Sequence, residues 1–272
     1  MPEGDTVFHT ARRLTEALAG KVLVRGELRH PRLSTKDLAG RTVLGAVSVG
    51  KHLFVRFDRD LSLHNHLGMD GAWRFTRPGA RLGHQVRVVL AVADTMAIGV
   101  NLYQLALVPT GEEHRLVGHL GPDLLAEDWS ATHAAEAARR LAAEPDREIG
   151  VALLDQRVFA GVGNVYKAEV CFLLRVSPWT PVSEIDVERA VALSRDLLVR
   201  NADRFDRSTT GQTHRDRRLW VYGRTRSGCL RCGGRVRVAS QGEDTQERVT
   251  YFCPACQPGP HPNFVVDRPA GT

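Results

Sequence analysis

Two Cys-x-x-Cys pairs, Cys229-Leu-Arg-Cys232 and Cys253-Pro-Ala-Cys256, restrict the fold more than any other feature of this 272-residue chain. Each pair can grip one metal ion from a tight turn. The twenty residues between them are long enough for a β-hairpin that brings the pairs together. Four thiolates in a tetrahedron suit zinc, so the spacing predicts one structural zinc ion on Cys229, Cys232, Cys253 and Cys256. The competing reading is a pair of redox or disulfide motifs. It is less specific than two CxxC pairs in a reducing compartment, and the start of the chain points to such a compartment. Met1-Pro-Glu-Gly-Asp-Thr6 is polar at once and no signal-peptide pattern follows, so a cytoplasmic protein is expected. No apolar run approaches the roughly 18 residues of a membrane span, so no membrane partner is expected. The fifth cysteine, Cys171, lies in the apolar run Val170-Cys-Phe-Leu-Leu174 and reads as core.

Charge is distributed unevenly. The net charge is +6, which alone only weakly favours a polyanionic partner. Between residues 200 and 237, however, eleven arginines stand against three aspartates, while residues 111–148 hold nine acids and four arginines. The positive end therefore runs into the cysteine region, where Arg231, Arg235, Arg237 and Arg248 lie in or near the hairpin. A solvated surface is the plain reading of such a run; beside a metal finger it points to nucleic acid.

The rest of the chain changes period once. Val7, Ala11, Leu14 and Leu18 mark one apolar helix face, with Asp5 and Thr6 as expected caps. Residues 52–58 then alternate as a half-buried strand that only Phe54 spoils. Segments 21–28, 42–49, 61–66, 85–92, 95–100 and 104–108 also read as strands. After Gly121-Pro122 the pattern turns helical over 133–143, 147–154, 165–174 and 187–201. Strands first and helices afterwards imply an α+β protein with a β-sandwich or barrel lobe and a helical lobe. With 43% hydrophobic residues, both can have cores. The Pro- and Gly-rich end reads as a loose tail.

Five motifs occur in one order: Met1-Pro-Glu-Gly-Asp-Thr6, Gly50-Lys-His-Leu53, His66-Leu-Gly-Met-Asp-Gly71, Leu153-Leu-Asp-Gln-Arg-Val-Phe-Ala-Gly-Val-Gly-Asn164, and the four-cysteine finger. Together they resemble the formamidopyrimidine-DNA glycosylase/endonuclease VIII family, nearer its endonuclease VIII side, from residue 2 to about 257. The resemblance implies an N-terminal β-sandwich lobe (1–118), a helical lobe with a helix-two-turns-helix motif (119–225) and a zinc-finger β-hairpin (226–257), which leaves 258–272 as the tail, expected to be disordered from its composition. It also implies a nucleoid-associated monomer acting on damaged DNA, duplex or single-stranded, as a glycosylase and lyase at abasic sites.

In that resemblance Pro2 is the nucleophile and Glu3 its acid/base partner. With Met1 removed, Pro2 carries a secondary amine; an α-amine has a pKa of roughly 7.7–8.0, so part of it is neutral near pH 7. Lys51 matches the lysine that holds a phosphate or assists proton transfer at the lesion. Asn164 opens a helix whose N–H groups can hold a phosphate, and serves equally well as an ordinary cap. Arg248 matches the finger arginine at the flipped nucleotide, and Met69 the side chain that fills the gap left by the departing base. One departure stands out. The Arg-Phe-Gly element that enters the duplex in the formamidopyrimidine branch has no counterpart in Val100-Asn-Leu-Tyr-Gln104. Oxidised pyrimidines are therefore expected over 8-oxoguanine opposite cytosine, in DNA already loosened.

Two rival readings compete with this one. His64-Asn65-His66 spells a nuclease triad, but alternate residues of one strand face opposite ways. A non-catalytic damaged-DNA-binding paralogue is the other, and a borohydride-trapped protein–DNA adduct separates it from an enzyme.

Overall fold

The helix expected at the start is α1 (Gly4–Leu18), and Val7, Ala11, Leu14 and Leu18 are all buried on its one apolar face. Its N-cap is Glu3, in extended conformation, so Asp5 and Thr6 lie inside the first turn rather than at the cap. The computed structural model describes residues 2–102, 104–242 and 247–262. Packing divides the chain into two units, Met1–His119 and Leu120–Thr272.

In the first unit eight strands follow α1: β1 (Arg25–Leu28), β2 (Val43–Val49), β3 (His52–Phe57), β4 (Leu61–His66), β5 (Ala72–Thr76), β6 (Val86–Ala91), β7 (Met96–Val100) and β8 (Gln104–Val108). They form two antiparallel four-stranded sheets, ordered β2-β3-β4-β8 and β1-β6-β7-β5. Leu53, Val55, Phe57 and Leu63 from one sheet pack with Trp73, Val88, Leu90 and Ala97 from the other and with the apolar face of α1. Each such buried side chain contributes about 1.5–3 kcal/mol, before the opposing entropy.

Three details depart from the pattern read along the chain. β1 is shorter than expected, because Val22 makes only an isolated bridge with Thr42 and Val24 is exposed. β5 was not anticipated. Phe54 is fully buried although it lies on the outer face of its strand. That face carries its own cover: a single 3-10 turn at Thr110–Glu112 leads into the short α2 (His114–Val117). Glu113 there accepts from Ser62 Oγ at 2.6 Å and from Arg56 Nη2 at 2.7 Å.

The second unit holds α3 (Ala131–Ala142), α4 (Ile149–Ala152), α5 (Asn164–Leu174) and α6 (Val187–Ala202), then the hairpin of β9 (Arg237–Gln241) and β10 (Arg248–Phe252). The helix expected over 147–154 is thus only a short α4. α5 has no solvent face over its first nine residues, all of which are buried. α6 is capped by Asp186, whose side chain accepts from Arg189 N at 2.9 Å. The segment expected as a tail begins with packed residues: Ser177 Oγ donates to Pro260 O, and His261 stacks on Phe252 with centroids 5.0 Å apart. The remainder of that segment, 263–272, lies outside the described residues. No described helix is long and apolar enough to cross a membrane.

Candidate active site and nucleic-acid interface

Strand and helix geometry brings four sequence-predicted residues of the first unit to one end. Thr15, on the inner side of α1, receives a hydrogen bond from Ala46 N at 2.8 Å and donates to Ala46 O at 3.1 Å. Further down both elements, Gly20 N donates to Val43 O. The β2 bulge between Val43 and Gly45, with Gly45 at φ +155°, lies directly beside this contact. Walking back along α1 toward Pro2 therefore runs alongside β2 toward residue 51. From Thr15 to Gly4 at 1.5 Å per helical residue, and from Ala46 to Lys51 at about 3.3 Å per strand residue, both paths cover roughly 16 Å. The head of α1, with Glu3 and Pro2 just beyond it, thus finishes at the end where Lys51 stands, in the β2–β3 turn after Gly50 at φ +57°. β4 runs antiparallel to β3, pairing His66 with His52, so the turn carrying Met69 emerges at the same end. The β7–β8 turn also lies there, since Gln104 pairs with His66; Asn101 Nδ2 in that turn donates to Asp70 Oδ2 at 3.0 Å.

Exposure differs among these groups in a way that suits different tasks. Glu3 is fully buried, Pro2 and Lys51 are half-buried, and Met69 is 63% exposed. Beside Lys51 lies a cluster of imidazoles. His52 Nδ1 and His64 Nε2 share a hydrogen bond of 2.9 Å, and His66 and His119 pack edge-on against His52. Burial, then the neighbouring imidazoles, pushes His52 down to about 4, and burial pushes His64 to about 4 as well. Both of these rings are therefore neutral near pH 7. Asn65 points the other way, into the core, where Trp73 Nε1 donates to its Oδ1 at 3.1 Å. The letters His-Asn-His thus never converge on one metal.

In the second unit the four cysteines converge. Their Sγ atoms all lie within 4.8 Å of one another, with Cys229–Cys256 at 3.8 Å and Cys232–Cys253 at 3.6 Å. A tetrahedral zinc with bonds of about 2.3 Å sets its sulfurs about 3.8 Å apart, so the donor set fits that ion. Gly228 and Gly233, both at positive φ, allow the first knuckle to turn tightly, and Gly234 N donates to Cys232 Sγ at 3.4 Å. Asn164 is the first residue of α5, after the N-cap Gly163. It does not cap the helix. Its Nδ2 donates to Val249 O at 2.7 Å, next to the exposed Arg248. Arg231 lies 4.2 Å over the Phe172 ring and so packs the finger on α5.

The profile of the formamidopyrimidine-DNA glycosylase N-terminal domain matches residues 1–101, and that of its H2TH domain matches residues 120–210. The chain belongs to the formamidopyrimidine-DNA glycosylase family. Among relatives, it is 52% identical to "Probable endonuclease 8 2" of Streptomyces coelicolor, over 100% of this chain and 97% of that protein. It is 49% identical to the "DNA-(apurinic or apyrimidinic site) lyase Nei2" of Mycolicibacterium smegmatis, over 94% and 99%. The Lactococcus lactis Fpg bound to DNA containing an oxidized pyrimidine superposes with a TM-score of 0.80 at 25% identity, over 95% of this chain and 100% of that one. Relatives named formamidopyrimidine-DNA glycosylase stand at 26–28%, so within the family the chain falls on the endonuclease VIII side.

This member of the family also holds residues that sequence reasoning missed. Lys167, wholly buried on α5, donates Nζ to Thr250 Oγ1 at 2.5 Å. Thr250 Oγ1 donates to Gln241 Oε1 at 3.1 Å, and Gln241 Nε2 donates to Glu148 Oε2 at 2.9 Å and Pro178 O at 2.8 Å. Gly150 makes room for that amide: a Cβ there would stand 2.4 Å from Gln241 Oε1. Glu169, also buried, accepts from Trp220 N, Val221 N, Tyr222 N and Thr209 Oγ1. Burial pushes its carboxyl up while these four donors pull it down. The signal was present in the sequence: a lysine and a glutamate inside a helix with no polar face must be satisfied internally.

Proposed function

We propose that the chain is a bifunctional DNA glycosylase/AP lyase of base excision repair, working through the amine of Pro2. The observation that carries this reading is Glu3, a carboxyl group buried at the head of α1 beside Pro2 and level with Lys51. A proton-transfer group must stand within reach of the reacting atoms, and adjacency in the chain secures that. The reaction balances without a redox partner. The Pro2 nitrogen forms a bond to C1′ of the damaged nucleotide as the C1′–base bond breaks, and the base leaves with a proton relayed by Glu3. The Pro2 nitrogen then loses its proton, and the C1′–O4′ bond opens as O4′ takes a proton, which leaves an iminium at C1′. The iminium acidifies C2′–H; loss of that proton expels the 3′ phosphate by β-elimination, and δ-elimination can follow. Pro2 is nucleophilic only as the first residue, so Met1 must be removed; Met1 itself lies outside the described residues.

The remaining roles follow the family's pattern. Lys51 contacts a phosphate near the lesion, Met69 fills the vacated place in the stack, and Arg248 clamps backbone phosphate. Asn164 acts mainly by fixing the hairpin strand that bears Arg248, with helix N–H groups nearby for a phosphate. One zinc ion on Cys229, Cys232, Cys253 and Cys256 would hold the finger shut and takes no part in the chemistry. We assign the four-part organisation 1–118, 119–225, 226–257 and 258–272, a monomeric state and work at the nucleoid in the cytoplasm. Oxidised pyrimidines in single-stranded, bubble or mismatched DNA are the preferred substrates, since less pairing must be broken there. The test is borohydride trapping and single-turnover excision of an oxidised pyrimidine and of 8-oxoguanine, each in duplex, bubble and single strand. A covalent adduct through Pro2 is expected. Absence of any adduct overturns the enzyme reading, and fastest excision of 8-oxoguanine opposite cytosine in duplex overturns the substrate assignment.

A further inference from the structure

We propose that Phe205, with the arginines on either side of it, is a stacking platform for an unpaired base of bound DNA. This rests on the reading above and adds a contact that none of the residues assigned so far supplies.

α6 ends at Ala202, and the chain makes a short excursion before returning at Ser208. Both feet of this loop are fixed. Asn201, wholly buried, donates Nδ2 to Leu197 O at 2.8 Å and to Ser208 O at 3.1 Å, while its Oδ1 accepts from Ser208 N at 2.7 Å. Ala202, Ser208 and Thr209 are buried too, whereas Asp203, Arg204, Phe205 and Asp206 are all exposed. The result is a stub with its feet in the core and its tip in water. Phe205 stands at that tip, 85% exposed, against 63% for Met69. Apolar surface stabilises a fold only when removed from water, so this ring adds almost nothing to the core.

A single exposed apolar side chain is ordinary; the surroundings make this one different. Residues 200–218 carry six arginines against three aspartates. Asp206, the next residue in the chain, is paired with Arg218 at 2.8 Å, which offsets its repulsion toward a phosphate. Arg207 lies 4.8 Å over the ring of Tyr166, two residues after Asn164. The loop is thus continuous with the helix start and hairpin that the proposed function sets against DNA. An exposed aromatic ring with arginines before and after it in the chain suits a nucleobase between two phosphates, and stacking of this kind is tolerant of sequence. Within a duplex both faces of a base are covered by its neighbours. The ring therefore has a partner only in a single strand, in a bubble or in a base swung out of the helix.

Binding of a labelled, undamaged single-stranded oligonucleotide and of its duplex to the full-length zinc-loaded protein tests this. Phe205→Ala and Phe205→Leu should each weaken the single strand by about fivefold or more, the lower end of what one stacked base supplies. Phe205→Trp should restore it, and the duplex should change by less than about twofold in all three. Melting temperature and zinc content should not move, because the side chain is outside the core. Wild-type affinity in Phe205→Leu, an unchanged Phe205→Ala, or equal loss for duplex and single strand would each overturn the platform. Borohydride trapping by the wild type, run alongside, separates this from the enzyme reading: trapping with unaltered single-strand binding in Phe205→Ala overturns the platform alone.

Discussion

In the first unit Pro2, Lys51 and Met69 reach one end because a helix and two strand turns finish there. In the second, Asn164 and Arg248 are brought together by side chains that reach across: Asn164 to Val249 O, and Lys167 through Thr250 and Gln241 to Glu148. The first arrangement is set by topology, so its functional side chains can change without loss of fold. The second is set by buried polar bonds, each of which is expensive to leave unmade. Chemistry and structure should thus separate cleanly under mutation in one unit and poorly in the other.

The largest expected effect tests the first half of that contrast. Protein that keeps Met1 has Pro2 locked in a tertiary amide with no nucleophilic lone pair. Borohydride trapping should fall to background, with melting temperature and zinc content equal to those of processed protein of known N-terminal mass. Full trapping with Met1 present would break the comparison. Next comes Cys253→Ser in the second unit. Binding of a structural zinc ion is worth on the order of 10–16 kcal/mol to a small module, so this variant should lose zinc and expose the hairpin to protease. Retained zinc at full stoichiometry would refute the four-thiolate site.

A smaller loss is expected from Lys167→Met, which fills the space but leaves the Thr250–Gln241–Glu148 chain without its cation. A buried partner left unsatisfied costs about 1–3 kcal/mol. Melting temperature should drop while zinc stays bound, and the KM for DNA should rise more than kcat falls. Unaltered stability would show that the network is not what fixes the hairpin. The smallest effect belongs to the imidazole cluster of the first unit. His52 and His64 titrate near 4 in the fold, against about 6.5 when unfolded. Between those values the unfolded chain binds more protons, so their contribution is whole above about pH 6.5 and is lost as pH falls toward 4. Melting temperature should decline over that window, and His64→Leu should flatten the decline. An unchanged slope would remove the cluster from the account.

Much of this was legible before any coordinates. Regular alternation marked seven of the eight strands in the first unit, and the i, i+4, i+7 face of α1 marked its buried side. The cysteine spacing announced its own cluster. What escaped were contacts between distant segments. Phe54 looked like an error in a half-buried strand, yet it packs on the His64 ring at 4.9 Å, on a face that Glu113, more than fifty residues further on, also binds through Ser62 and Arg56. β5 was not among the expected strands, and its partner β7 lies twenty or more residues further on. Asn164 looked like a cap because position alone suggests one; only the fold shows its amide turned to Val249. Lys167 and Glu169 are local letters with remote partners, and periodicity carries no information about such partners.

Gly150 has a consequence for how this protein can be rebuilt. The hairpin's Gln241 occupies the very volume that any side chain at 150 would claim, so the helical scaffold and the finger are keyed to one another by the absence of a single carbon. A finger transplanted from another chain, with a different residue at the Gln241 position, would meet a notch it does not fill and a Glu148 carboxylate it does not satisfy. Conversely, alanine at 150 would push the Gln241 amide off its bonds to Glu148, Pro178 and Thr250. The two are a matched lock and ward, and chimeras across this seam should be most stable when both halves of the match travel together.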